Sequence, residues 1–252
     1  LLGSTEGDTH VWCGIPYAAP PVGPWRWRSP RPPARWDGVR PATAFSASSW
    51  QSSESCQELG GGDPGQFSED CLYLNVWSPA VRADPLPVMV WLHGGGFTLG
   101  AGGLPPYNGR ALAKRGTVVV TINYRLGHLG FFAHPALEGE EERVVHNFAL
   151  LDQIQALEWV RDNIAAFGGD PENITVFGES AGARSVLSLM ASPLARGLFH
   201  KAIVQSGYTL PDTPRGQAMH KGEAIAAHFG LHNATAEQLR AIPPEAFWPL
   251  TS

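Results

Sequence analysis

Between residues 147 and 192 an amphipathic helix, an apolar strand and a second helix follow one another, separated only by a short loop and one serine-bearing turn. In "NFALLDQIQALEWVRDNIAAFGGD", Phe148, Leu151, Ile154, Leu157, Val160, Ile164 and Phe167 recur every three or four residues, which makes one helix face apolar. Asn147 is placed to cap its start, and Gly168–Gly169 to stop it. "NITVFG" then reads as a strand and "SAGARSVLSLMAS" as a helix. Upstream, "LPVMVWLHGGG" and "GTVVVTINYR" read as strands apolar on both faces; downstream, "KAIVQSG" reads as another. Strands alternating with helices predict an α/β fold, a mostly parallel sheet with helices on both faces. "TAEQLRAI" is a short helix in which Thr235 and Gln238 have capping-box spacing. Residues 1 to 70, rich in Pro, Ser, Gly and Trp, predict short strands and ordered loops.

The turn itself, "VFGESAGARS", carries Ser180 between Gly178 and Gly182. A strand–G-x-S-x-G–helix arrangement is a nucleophile elbow, with the serine strained at the top of the sheet. A Cβ at position 178 or 182 is expected to crowd the neighbouring strand and helix. Ser180 would stand at a helix N-terminus, where N–H groups and the dipole favour developing negative charge. The second element is "WLHGGGF", residues 91 to 97. The N–H groups of Gly95 and Gly96, with that of Ala181, would converge on one oxygen as an oxyanion hole, in which one donor is worth about 10²–10³ in rate. A phosphate cradle is the competing reading, but no G-K-[ST] follows and no G-x-G-x-x-G opens a helix here.

Composition narrows the partners. The formal charge of −5, with no basic block, offers nothing to nucleic acid or an anionic membrane. No run of about 18 apolar residues predicts a membrane span, and no Cys/His spacing predicts a metal site. Of the three cysteines, Cys56 and Cys71 flank the Gly-rich loop "QELGGGDPGQFSED"; spacing alone leaves a disulfide and two free thiols both open. N-x-T occurs at Asn173 and Asn233, the first directly before a predicted core strand.

The stretches "GIPYAAPPVG", "EDCLYLNVWSP", "VWLHGGGF", "NYRLGHLGF", "LLDQIQALEWVRDNIAAFGGDPENITVFGESAG" and "LFHKAIVQSG" occur in that order along nearly the whole chain. Together they resemble the type B carboxylesterases, the family that includes cholinesterases and para-nitrobenzyl esterases. The resemblance implies an α/β-hydrolase fold, with residues 1–252 as a partial domain whose C-terminal half, and clipped N-terminal strands, lie outside the sequence. It implies a serine carboxylic-ester hydrolase working through an acyl-enzyme, with no cofactor and a small-molecule carboxylic ester as its partner. Ser180 matches the nucleophile; Gly95, Gly96 and Ala181 match the oxyanion-hole donors; Cys56 and Cys71 match the family's first disulfide. Closure of that bridge would indicate a secreted or periplasmic protein; localisation and oligomeric state are otherwise open. Arg26 with Glu69, and Arg125 with Asp152, match two buried structural ion pairs. Glu179 is expected to turn inward as a hydrogen-bonded structural residue, and Ser206 to supply a buried hydroxyl behind the site.

Departures from the family pattern are informative. His146 and Ala149 stand where the family usually has glycines, which would matter if the backbone at 149 needed positive φ; His146 reads as an exposed loop residue. The Cys56–Cys71 stretch contains no Trp, so the main residue for quaternary-ammonium recognition is lost and a cholinesterase is disfavoured. In this fold the triad runs Ser, acid, His. The groups after Ser180 are Asp212, Glu223, Glu237 and Glu245 with His200, His220, His228 and His232. None follows a late parallel strand, so the acid and His are expected in the missing half. The alternatives are an inactive fragment or a non-enzymatic binding or adhesion protein of the same family; the intact elbow serine argues against the latter.

Overall fold

The computed structural model describes residues 1–81, 85–140, 146–209 and 213–250. Seven strands make one sheet: β1 (Ser4–Glu6), β2 (Thr9–Pro16), β3 (Tyr73–Pro79), β4 (Leu86–Leu92), β5 (Val118–Ile122), β6 (Gly169–Glu179) and β7 (Lys201–Gln205), in the order β1-β2-β3-β5-β4-β6-β7. The helices are α1 (Ser53–Glu58), α2 (Arg110–Ala113), α3 (Gly127–Gly130), α4 (Phe148–Asn163), α5 (Ala181–Ala191), α6 (Arg215–His228) and α7 (Ala236–Arg240). None of the described helices is long and apolar enough to cross a membrane.

The four strands legible as apolar runs, β5-β4-β6-β7, pair parallel. The other three pairings are antiparallel, so the sheet is mixed. Chain connection explains the β1–β2 pairing: the two strands are joined by Gly7 and Asp8, with Gly7 at φ +64°, and a connection that short permits only a hairpin. The parallel strands carry α4 and α5 as their cover. Val88, Val90, Leu92, Val118, Val120, Ile122, Ile174 and Val176 pack with Ile154, Leu157, Val160, Ile164, Val186 and Leu189 in one buried cluster. Each such side chain is worth about 1.5–3 kcal/mol when taken out of water. On the other face α2 lies over β3 and β5, with Ala113 against Trp77 and Val119.

α4 matches its predicted span, finishing as a 3₁₀ turn at Ile164–Phe167 closed by Gly168 at φ +86°. Asn147 makes no capping hydrogen bond with its side chain. The Thr235/Gln238 capping box forms as predicted. Ala149 lies inside α4, not among the residues with positive φ, so alanine fits there without strain.

Both buried ion pairs are present and two-pronged. Arg26 grips both carboxylate oxygens of Glu69; Arg125 reaches Asp152 at 2.8 and 2.7 Å and adds its own N–H at 3.1 Å. Removing one partner alone would leave an uncompensated buried charge, a loss of about 3–5 kcal/mol.

The expected Cys56–Cys71 disulfide is not formed. Both residues, and Cys13, are buried free thiols. Cys56 sits on α1 against Ala101 and Leu104, whereas Cys71 belongs to the main core, so the two are packed into different apolar clusters. Burial pushes both thiols above their ordinary pKa, Cys71 the further.

β7 forms one edge of the sheet, and Ile203 and Val204 are 43% and 38% exposed. An apolar strand with free N–H and C=O groups is a template for pairing. Expressed as residues 1–252, the protein should self-associate through this edge. Ile203→Lys with Val204→Lys should shift it toward monomer in gel filtration; an unchanged elution volume would rule the edge out as the cause.

Candidate active site

Ser180 occupies the junction of β6 and α5 with φ 54° and ψ −119°. That left-handed conformation costs a non-glycine residue roughly 1–3 kcal/mol and persists only where the surroundings enforce it. They do so here from both sides. The Ser180 N–H donates to the Gln205 carbonyl at the end of β7 at 3.0 Å, and its carbonyl accepts from the Arg184 N–H at 2.9 Å. The flanking glycines let the chain pass: a Cβ on Gly178 would lie 2.5 Å from the Gly182 carbonyl carbon, and one on Gly182 only 1.9 Å from the Leu92 oxygen. The expected crowding is thus between backbones. The Ser180 side chain makes no capping bond to α5, which leaves its oxygen free for other chemistry, and Ser180 is half-buried at the helix N-terminus.

The glycine run follows β4 and lies against this serine. A Cβ on Gly94 would come within 3.3 Å of the Ser180 Cβ. Gly95 takes φ +102° and Gly96 φ +63°, and the Gly95 carbonyl accepts from the N–H groups of Thr98 at 3.0 Å and Leu99 at 2.9 Å. Neither the Gly95 nor the Gly96 N–H is bonded to a backbone carbonyl among the described residues. Ala181 is the first residue of α5, where an N–H has no partner within its own helix.

His93, immediately before the run, was not singled out by the sequence, although its place beside three glycines is the signal that could have done so. It is fully buried and stacks on Tyr124 with ring centres 4.3 Å apart; the Tyr124 hydroxyl donates to the His93 carbonyl at 2.6 Å. Its Nδ1 faces the Gly94 carbonyl at 2.9 Å, so that nitrogen carries the proton. Burial pulls its pKa down to about 4, and the ring is neutral at pH 7. It buttresses the glycine turn as an uncharged donor.

These features match a known family. Residues 2–247 match the carboxylesterase family. The chain belongs to the carboxylesterase family. It is 48% identical over 250 residues to the para-nitrobenzyl esterase of Bacillus subtilis (strain 168), covering 97% of this chain and 49% of that one. It is also 48% identical over 241 residues to the fumonisin B1 esterase of Sphingopyxis macrogoltabida, covering 94% of this chain and 44% of that one. Among solved structures, a thermophilic PNB esterase superposes with a TM-score of 0.91 at 44% identity, over 99% of this chain and 51% of that one. The fold is that of the α/β-hydrolases, and this carboxylesterase chain spans about half the length of the relatives it matches.

The other charged groups that follow Ser180 in this carboxylesterase sequence are dispersed. His200 precedes β7, accepts from the Ile174 N–H at 3.2 Å, and pairs with the far end of β6. Six residues of strand separate Ile174 from Ser180, on the order of 20 Å. His220 is exposed on α6 and bonded to Glu223; His228, His232, Glu237 and Glu245 are exposed. Asp212 lies outside the described residues. Glu179 is half-buried without a side-chain hydrogen bond among those described, and Ser206, expected to be buried, is exposed at φ 52°. His146 is half-buried, not a free loop residue, with Nε2 3.3 Å from Glu138. No group of three or more metal-ligating side chains occurs among the described residues.

A cavity of about 630 Å³ lies beside the elbow, walled by Phe97 and Thr98 after the glycine run, by Phe131 and Leu150, and by Arg184 and Ser188 of α5. Arg184 and Ser188 lie about one and two turns along α5 from Ser180, which stands at the N-cap of the helix and does not itself line the cavity.

Proposed function

We propose that this chain carries the nucleophilic half of a serine carboxylic-ester hydrolase. The observation that carries the reading is Ser180: a non-glycine residue held at φ 54° between two glycines that admit no Cβ, with its oxygen at a helix N-terminus and a glycine turn against it. Its kinship with esterases supports the same class. In this mechanism a histidine from outside the described residues takes the Ser180 hydroxyl proton as the oxygen attacks the ester carbonyl. The carbonyl oxygen gains the negative charge and is held by the N–H groups of Gly95, Gly96 and Ala181. Collapse expels the alcohol, which receives the proton from that histidine. Water, deprotonated by the same base, then attacks the acyl-serine and releases the acid, returning the proton to Ser180. The residues named are this protein's own, and none of these steps calls for a cofactor.

The test is a fluorophosphonate probe on the full-length protein, with labelling mapped by mass spectrometry. Labelling at Ser180 is the expected result; an unreactive, folded protein would favour the binding-protein alternative. Residues 1–252 alone should show no Ser180-dependent ester turnover, because a serine without a base stays protonated.

Gly96→Ala gives an independent check on the hole. The site has room for the methyl group, whose nearest neighbour would be 3.8 Å away, but φ is +63°, so the substitution strains and tilts the donor. We expect kcat to fall by about 10²-fold with KM changed little, since the hole acts on the transition state. A rise confined to KM would mean the glycine only shapes the pocket.

A further inference from the structure

The residue that ends the glycine turn is a phenylalanine in a glycine's conformation. Phe97 holds φ +63°, in the left-handed region where a bulky L-residue is strained. Gly95 and Gly96 adopt such angles freely, and on backbone grounds alone a fourth glycine would suit this position. Nor does the ring hold the backbone there by itself. The Phe97 carbonyl accepts from the Gly127 N–H at 2.8 Å, and the Gly95 carbonyl accepts from Thr98 and Leu99; all three bonds use main-chain atoms. The strain is therefore tolerated for something the side chain does elsewhere.

The ring stands edge-on to Phe131, with centres 5.2 Å apart and planes at 67°. Both rings line the cavity beside the elbow, together with Phe132, Leu150 and Ile225. Gly94, three residues before Phe97, abuts Ser180, and Phe97 carries the chain from the glycine turn into the lining of that cavity. We propose that Phe97 is a specificity-determining residue: propped by Phe131, its ring receives the bulky apolar group of the ester whose carbonyl sits over Ser180. The inference rests on the reading of Ser180 as an ester-cleaving nucleophile. An aromatic group suits the site because it can stack or abut edgewise on two rings already set at an angle to each other.

The experiment compares Phe97→Ala and Phe97→Tyr with wild type in the full-length protein, using ethyl phenylacetate and ethyl acetate. Alanine keeps a Cβ and hence the backbone strain, so the ring alone is lost; melting temperatures confirm folding. The ratio of kcat/KM for ethyl phenylacetate over ethyl acetate should fall about 10–100-fold in Phe97→Ala and return to within about threefold of wild type in Phe97→Tyr. A second readout needs no turnover: in a Ser180→Ala background, adding Phe97→Ala should weaken calorimetric binding of ethyl phenylacetate at least about tenfold. A change below about threefold in both readouts overturns the proposal, as does an equal loss for the two esters, which would make Phe97 a prop for the turn. Ester hydrolysis that survives Ser180→Ala would sink the nucleophile reading instead, and the binding comparison would still decide on Phe97.

Discussion

Ser180→Ala in the full-length protein should reduce kcat toward a p-nitrophenyl ester by about 10⁶, the usual cost of losing a triad nucleophile. The fold should be untouched. The Ser180 oxygen makes no capping bond to α5, so its removal orphans no partner within the helix. Alanine inherits the same φ of 54° and the same strain. Ser180→Gly removes that strain as well, and should be equally inactive yet more stable than the alanine variant by about 1 kcal/mol, since the elbow geometry comes without penalty to glycine. Paired measurements of hydrolysis and urea denaturation check both statements. Activity within tenfold of wild type in Ser180→Ala would remove Ser180 from the mechanism. A glycine variant less stable than the alanine variant would show that the turn is not strained in the way its dihedral angles imply.

Gly182→Ala should be the most destabilising of the elbow substitutions. In an ordinary helix the change would stabilise by up to about 1 kcal/mol. Here the new methyl would sit 1.9 Å from the Leu92 carbonyl oxygen and 2.9 Å from that of His93. Both obstacles are main chain of β4 and its extension, so no rotamer change relieves them; α5 must move off the sheet. The expected loss is about 3 kcal/mol or more, at the upper end for over-packing, with a fall in kcat because the same shift carries Ala181 and Ser180 away from the glycine turn. Gly216→Ala is the control. It lies in α6 with nothing within 4 Å of its Cβ and no positive φ, so it should leave stability equal or slightly higher. Equal denaturation midpoints for the two variants would mean that α5 is not seated on β4 as tightly as the distances require.

Much of this architecture was legible because its determinants are local. α4 is written in a 3.6-residue apolar period, and its end in Gly168; the Thr235/Gln238 box needs only four residues. β4, β5, β6 and β7 stand out as apolar because both of their faces were destined for burial, although Ile203 and Val204 of β7 are in fact exposed here. β3 is recognisable only inside a family-like stretch, since its pairing with β2 and β5 depends on residues more than forty positions away. The cysteines mark the limit of resemblance. Cys56 and Cys71 occupy matching positions, yet their surroundings place them in different clusters as free thiols.

The alternation of strand and helix, the strand–serine–helix turn and the need for small residues at 178 and 182 are all written along the chain. Each of these follows from short-range sterics, and the clash distances around Gly178 and Gly182 carry the same message from the folded side. What surrounds Ser180 comes from contacts across the sheet. The glycine turn lies against it because β4 pairs beside β6, placing Leu92 opposite Gly178. The strain at Ser180 is upheld by the hydrogen bond that its N–H donates to the Gln205 carbonyl of β7, and the neutral charge of His93 by complete burial against Tyr124. These are properties of neighbours brought together across the sheet. Chain spacing carries no trace of them, because the pairing order of parallel strands is set by how the covering helices pack and not by any one segment.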